Sequence, residues 1–231
     1  FYKKYAHYPQ STNRGISLAN SGGDFGVVGN EAVQSISEGR AYGIEFFAQQ
    51  KLFKGFYGLM AVTLFRSEFT NANTNSFSPS SWDQRFIVNL TAGKKLKRNW
   101  ELGAKFRLTG GRPYTPYDTA YSSVTYIWDV SKQGQLDYSK VNTGRLPINH
   151  QLDIRIDKKY FFKHWNLNLF LDIQNLYKFV AKDQDYLSVK RNANGDPLLD
   201  PNFSNPARYQ LQFLPNSTGT VLPTIGIIVE Y

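Results

Sequence analysis

The chain has 231 residues, no cysteine, 27 Lys and Arg against 18 Asp and Glu, and a net charge of +9. Without cysteine there is no disulfide framework, no thiolate nucleophile and no cysteine-ligated zinc or iron–sulfur site. No run approaches the roughly 18 apolar residues a spanning helix needs, so any membrane-crossing element must be a strand.

Aromatics make up 16% of the residues, and such amphipathic rings suit interfaces, including the belts of membrane proteins. Composition does not break anywhere along the chain, which favours one domain. Phe1-Tyr2-Lys3-Lys4 opens mid-strand without a leader, so the expected start of the protein lies upstream. The positive charge is compatible with nucleic acid, but its densest residues fall in three short turns, where cations meet lipid headgroups instead.

Phe1 to Tyr8 reads as the tail of a strand, followed by a polar stretch near 9–40. Ala41 to Leu52 and Phe56 to Ser67 form a hairpin around the turn Phe53-Lys54-Gly55, although Phe47 and Met60 blur its polarity. A second polar stretch covers 68–84. Phe86, Val88, Leu90 and Ala92 then alternate with Asn89, Thr91 and Gly93.

After Lys97-Arg98-Asn99 comes the clearest strand: Trp100, Leu102, Ala104, Phe106 and Leu108 alternate with Glu101, Gly103, Lys105, Arg107 and Thr109. Beyond the stretch 110–148, Leu152, Ile154 and Ile156 alternate with Asp153, Arg155 and Asp157. The turn Phe162-Lys163-His164 leads to Trp165, Leu167, Leu169, Leu171 and Ile173 against Asn166, Asn168, Asp172 and Gln174. A last stretch, 177–222, precedes a final strand from Pro223 to Tyr231.

These segments run to about 10–12 residues, longer than the roughly 5–6 of soluble strands, and suit a tilted crossing of an apolar band. All short turns fall at one end and all long stretches at the other. The expectation is therefore an all-β fold, a transmembrane antiparallel β-barrel segment of about eight strands with short periplasmic turns and long extracellular loops. Phe53, Trp100 and Trp165 then anchor the inner interface. Ile225, Ile227, Val229 and the terminal Tyr231 resemble the signal read by the outer-membrane assembly machinery.

Glu101, Lys105, Arg107, Asp153, Arg155, Asp157, Asp172 and Gln174 face the lumen on this reading, as a ladder of ion pairs or as a solute path. Arg107, Thr109 and Asp153 lie towards the outside, with Glu101 and Asp172 deeper. Arg112, Tyr114 and Tyr117, in a Gly- and Pro-punctuated strand exit, are candidate loop contacts, the tyrosines by stacking on a sugar or aromatic ligand. No catalytic set is expected: His150 and Asp153, three apart on a strand, face opposite sides. Asn192, Asn194, Asp196 and Asp200 fail the EF-hand spacing, so a polar turn is expected and no metal or cofactor.

Four phrases carry a resemblance: GRAYGIEFFAQQKLFKGFYG at 39–58, SWDQRFIVNLTAGKKLKRNWELGAKFRLTGGRPYTPYD at 81–118, GRLPINHQLDIRIDKKYFFKHWNLNLFLDIQNLY at 144–177 and LPTIGIIVEY at 222–231. Together they resemble the C-terminal part of a TonB-dependent outer-membrane receptor of the Bacteroidetes type. The resemblance implies that residues 1–231 are the C-terminal portion of a 22-stranded barrel, with an N-terminal plug and earlier strands absent from this chain. It implies uptake of a bulky nutrient such as a siderophore, haem, oligosaccharide or peptide, in the outer membrane of a Gram-negative bacterium. The implied partners are outer-membrane lipid, the TonB complex through the missing N-terminal part, the assembly machinery and a surface lipoprotein, with no nucleic acid. The alternatives are a passive pore or small structural barrel of about eight strands, and a soluble carbohydrate-binding β-sandwich.

Overall fold

The computed structural model describes residues 1–22, 30–72 and 76–231; positions 23–29 and 73–75, within two of the polar stretches, lie outside them. The fold is all-β, 60% strand and 9% helix. Eight strands form one antiparallel meander: β1 (Tyr2–Ser11), β2 (Val33–Phe53), β3 (Phe56–Asn71), β4 (Phe86–Lys95), β5 (Trp100–Thr109), β6 (Asn149–Phe161), β7 (Asn166–Gln174) and β8 (Leu222–Glu230). Each pairs with its sequence neighbours, and among the described residues β1 does not pair with β8, so the sheet is open.

The short turns follow from their residues. Lys54 and Gly55 both take positive φ, 50° and 80°, as a two-residue hairpin turn between right-twisted strands requires. Arg98 and Asn99 do the same in the second turn, and the Phe162 amide donates to the Trp165 carbonyl at 3.0 Å to close the third. At the other end the strands exceed their sequence-read limits: β2 begins at Val33 and β3 reaches Asn71. There both faces are mostly polar, with Val33, Ile36 and Phe69 as exceptions, so alternation fades while the backbone ladder continues.

Register gives β2 to β8 one apolar face, while β1 sets only Tyr2 and Lys4 on that side. Ile44, Val62, Val88, Leu108 and Met60, Leu90, Phe106, Leu152 belong to this face, and Ile154, Leu171 and Ile225 continue it to the last strand. Most of it is uncovered: Ile44 is 73% exposed, Leu64 54% and Ile225 83%. Beyond Leu64 the same parity carries Arg66 and Glu68, with Arg40 donating to Glu68. The apolar band therefore stops on a row of charge.

Met60 lies on the apolar face and Phe47 on the opposite one, which resolves the polarity that the sequence left blurred. Phe170 also sits on the polar face, opposite Gly226, although its strand otherwise alternates cleanly. It belongs to a recurring device. At Gly39, Gly93 and Gly226 a Cβ would lie 2.0–2.3 Å from the ring of the cross-strand partner, Phe69, Tyr57 and Phe170 respectively. Each glycine leaves room for an aromatic ring to lie flat across the neighbouring strand.

Apart from Phe69 on β3, the buried apolar core lies outside the sheet. Ile16, Val124, Trp128, Val141, Leu187 and Val189 are almost fully buried, and all belong to the long connections. Those connections fold into a cap. It contains α1 (Thr119–Ser122), α2 (Thr125–Ser131) and small hairpins pairing 186–189 with 211–214 and 199–204 with 207–209. The Asn142 amide ties three segments together, donating to the carbonyls of Asn20 at 3.2 Å and Pro79 at 2.8 Å.

Candidate functional site

The polar face of β5 to β7 carries the residues singled out from the sequence. Opposing strands pair Glu101 with Asp157, Lys105 with Asp153 and Arg155 with Asp172. Arg155 grips Asp157 through two bonds of 2.9 Å, and its guanidinium lies 3.9 Å from the Phe170 ring centroid. Asn168 also donates to Asp157, at 2.8 Å. Glu101 accepts from the Tyr57 hydroxyl at 2.7 Å and from Lys159 at 3.1 Å.

Towards the long connections this network opens. Lys105, Asp153, Arg155, Asp172 and Gln174 line one cavity of about 330 Å³ against Tyr57; Glu101 and Arg107 do not reach it. Gly103 forms its floor, where a Cβ would meet nothing closer than 3.8 Å. The side chains of Lys105 and Arg107 make no hydrogen bond or ion pair among the described residues. Lys105 and Arg107 thus stand above the more densely bonded Glu101, Arg155 and Asp157. Register puts Asp172 one row and Glu101 two rows nearer the short turns than Lys105 and Asp153.

Above this wall, the 112–117 segment meets the 182–185 segment. Arg112 pairs with Asp183 at 2.9 Å, and the Tyr114 ring lies against Gly144, its partner in a short strand pair. Tyr117 and Phe213 present tilted rings with centroids 6.4 Å apart. Burial pushes the Tyr117 hydroxyl above its usual pKa, so it stays a neutral donor and acceptor. All three predicted contacts thus come together: Tyr114 and Tyr117 line a cavity of about 430 Å³ with Lys182, Asp185 and Phe213, and Arg112 lines two smaller neighbours of about 200 and 220 Å³.

Sequence reasoning missed Asp183, Asp185 and Phe213, which lie in the 177–222 stretch, far along the chain from their partners. It also missed Asp83. This fully buried carboxylate accepts from the Ser67 amide at 3.0 Å and from Arg145 at 2.9 Å, and Arg145 donates as well to the Gly111 carbonyl. A lone acid beside Trp82 carries no periodic signal.

His150 and Asp153 do not meet. The His150 ring bonds the Tyr177 hydroxyl at 2.6 Å, while Asp153 accepts from Gln151 and from the Asn175 amide. Among the described residues no cluster of three His, Cys, Asp or Glu is placed to hold a metal ion. Asn192 and Asp196 close a local turn through their own bonds.

At the short-turn end, Phe53, Trp100 and Trp165 are exposed by 40% or more. Lysines lie over two of these rings, Lys158 at 5.3 Å from Trp100 and Lys54 at 5.3 Å from Phe53, and Phe162 stacks on Trp165. Ile225, Ile227 and Val229 continue the apolar face on β8, and Tyr231 follows with the same parity, fully exposed. No protein-family model matches the chain, and comparison with curated proteins returns no match.

Proposed function

We propose that the chain forms part of the wall of an outer-membrane β-barrel, and that this barrel is a TonB-dependent receptor importing a bulky nutrient. The observation that carries the membrane reading is the uncovered apolar face running across seven strands, β2 to β8. Water-soluble monomers rarely expose contiguous apolar patches beyond a few hundred Å², and a sandwich would cover this face with a second sheet. Lipid solvates it instead. From Phe56 to Leu64 the band spans eight residue steps, roughly 26 Å along the strand at about 3.3 Å per residue. At a strand tilt of roughly 35–45° that length covers about 18–21 Å, most of an outer-membrane apolar band roughly 25 Å tall.

The open edges of β1 and β8 favour a larger barrel over a closed eight-stranded one. A barrel of about 22 strands has a lumen wide enough to need a plug, and the partly unpaired upper wall offers such a plug a charged seat. The choice of a receptor among large barrels rests on the resemblance of the four phrases. In this reading Phe53, Trp100 and Trp165 mark the periplasmic interface, the capped connections face outwards, and Arg112, Tyr114 and Tyr117 contact solute. The energy-coupling TonB complex, the assembly machinery at β8 and a surface lipoprotein are its partners.

Deletion of the gene is expected to abolish growth on one scarce nutrient too large for porins while leaving growth on small sugars unchanged. A protonophore should stop accumulation of that nutrient without releasing it from the cell surface. Unaltered growth of the deletion strain on every bulky nutrient tested, or a steady open conductance in planar bilayers, would overturn the receptor reading.

A further inference from the structure

A further cavity lies where β6, β7 and β8 meet the long connections. It measures about 410 Å³, within the roughly 300–1,000 Å³ of small-molecule sites. Buried Asn175 builds its frame: the side-chain amide donates to the Phe179 carbonyl at 2.9 Å and the Thr220 carbonyl at 3.3 Å, and the side-chain oxygen accepts from the Phe179 amide at 2.8 Å. The two ends of the 177–222 connection are thereby tied together. Gly219 closes the join, since a Cβ there would lie 2.5 Å from the Phe179 carbonyl oxygen. The Phe179 ring packs on His150, with centroids 3.9 Å apart, and the Tyr177 hydroxyl holds the His150 ring.

Charge distinguishes this cavity from its neighbours. It shares Gln174 with the wall cavity of Lys105, Asp153, Arg155 and Asp172, and shares Asn149 and Thr218 with the one beside Arg112, Lys182 and Asp183. Among the described residues that line it there is no Lys, Arg, Asp or Glu. Its polar side chains are mainly amides and hydroxyls. Asn149, Gln174, Thr218 and Thr220 make no side-chain hydrogen bond among the described residues, so donors and acceptors stand open beside an aromatic ring.

We propose that this cavity binds one unit of a neutral oligosaccharide; this names the substrate class of the receptor reading and rests on that reading for its role in uptake. Sugar hydroxyls both donate and accept, as the open amides and threonine hydroxyls do. The apolar C–H face of a sugar ring packs on an aromatic face such as that of Phe179. Haem, an anionic ferric chelate or a peptide terminus would bring charge into a lining that offers no counter-ion, at a cost in desolvation.

The test is isothermal titration of the full-length protein in a sugar-free detergent. The probes are neutral gluco-, manno- and galacto-oligosaccharides, uronate oligosaccharides of matched length and a ferric tris-catecholate. At least one neutral series should bind, about tenfold or more above its uronate counterpart and the ferric chelate. The double variant Asn149→Ala/Gln174→Ala should weaken that binding by about tenfold or more, the loss expected for two hydrogen-bonding groups. Its melting temperature should match the parent's, because neither side chain bonds to the rest of the described protein. Absence of binding to every neutral series overturns the inference, as does binding that the double variant leaves intact or that the uronates equal. A deletion strain that loses only a ferric chelate overturns it too, yet leaves the receptor reading standing. Sugar binding lost in the double variant, from a protein whose deletion strain grows normally on every bulky nutrient, supports the site while the receptor reading falls.

Discussion

Leu90→Arg is expected to destabilise the folded wall by about 2–4 kcal/mol, the scale measured for arginine facing lipid at mid-bilayer, whereas Asn89→Arg should cost no more than about 1 kcal/mol, from the like charge of Arg107 opposite it. Leu90 lies midway along β4 on the apolar face, flanked in register by Met60 and Phe106, and is 37% exposed. Its neighbour Asn89 belongs to the polar face, paired with Ala61 and Arg107. The two positions share strand, depth and backbone geometry, and differ only in which side they face. Denaturant titration of the protein folded into lipid vesicles measures both. Equal, small effects would mean that water, not lipid, meets the apolar face.

Asp83→Ala should have the next largest effect, about 2–3 kcal/mol, and should act on the cap more than on the wall. Breaking a buried ion pair by removing one partner commonly costs about 3–5 kcal/mol; the value here is lower because Arg66 and Arg145 keep partial access to water, with side-chain exposures of 39% and 22%. The same carboxylate anchors the Ser67 amide, and through Arg145 it ties the 110–148 connection to the end of β3. Limited proteolysis is expected to cut 110–148 in Asp83→Ala while the strands stay protected. Asp83→Asn keeps an acceptor for Ser67 and should lose less. An alanine variant with parental stability and an uncut cap would remove Asp83 from its structural role.

The wall is legible from sequence because its signal is local. Alternation at Trp100 to Thr109 and at Trp165 to Gln174 gives faces directly, and Lys54-Gly55 declares its own turn. Phe170 escapes this logic, since its justification, Gly226, lies on another strand. Register supplies that pairing and sequence spacing does not. Extension of β2 to Val33 is equally hidden, because strands outside an apolar band keep their ladder but lose their pattern.

The cap is the least legible part. Its polar, Pro- and Gly-rich composition reads as loop, yet Ile16, Trp128, Leu187 and Val189 are almost fully buried there. Contacts such as Arg112 with Asp183, or Tyr117 with Phe213, join residues separated by 71 positions or more, and no periodicity announces them. Arg112, Tyr114 and Tyr117 stand out through their sharp strand exit. Their partners do not, since Asp183, Asp185 and Phe213 sit in an irregular stretch.

Contact of one face of this sheet with lipid can be read residue by residue. The chain contains no cysteine, so single cysteines can be introduced at each position from Trp100 to Thr109 and spin-labelled in the full-length protein reconstituted in lipid. Accessibility to oxygen, which concentrates in the bilayer, should peak at 102, 104, 106 and 108, while accessibility to a polar nickel reagent should peak at 103, 105 and 107. A two-residue alternation with the two reagents out of phase is the predicted result. Nickel accessibility that is high on both faces, or oxygen accessibility without alternation, would contradict the account.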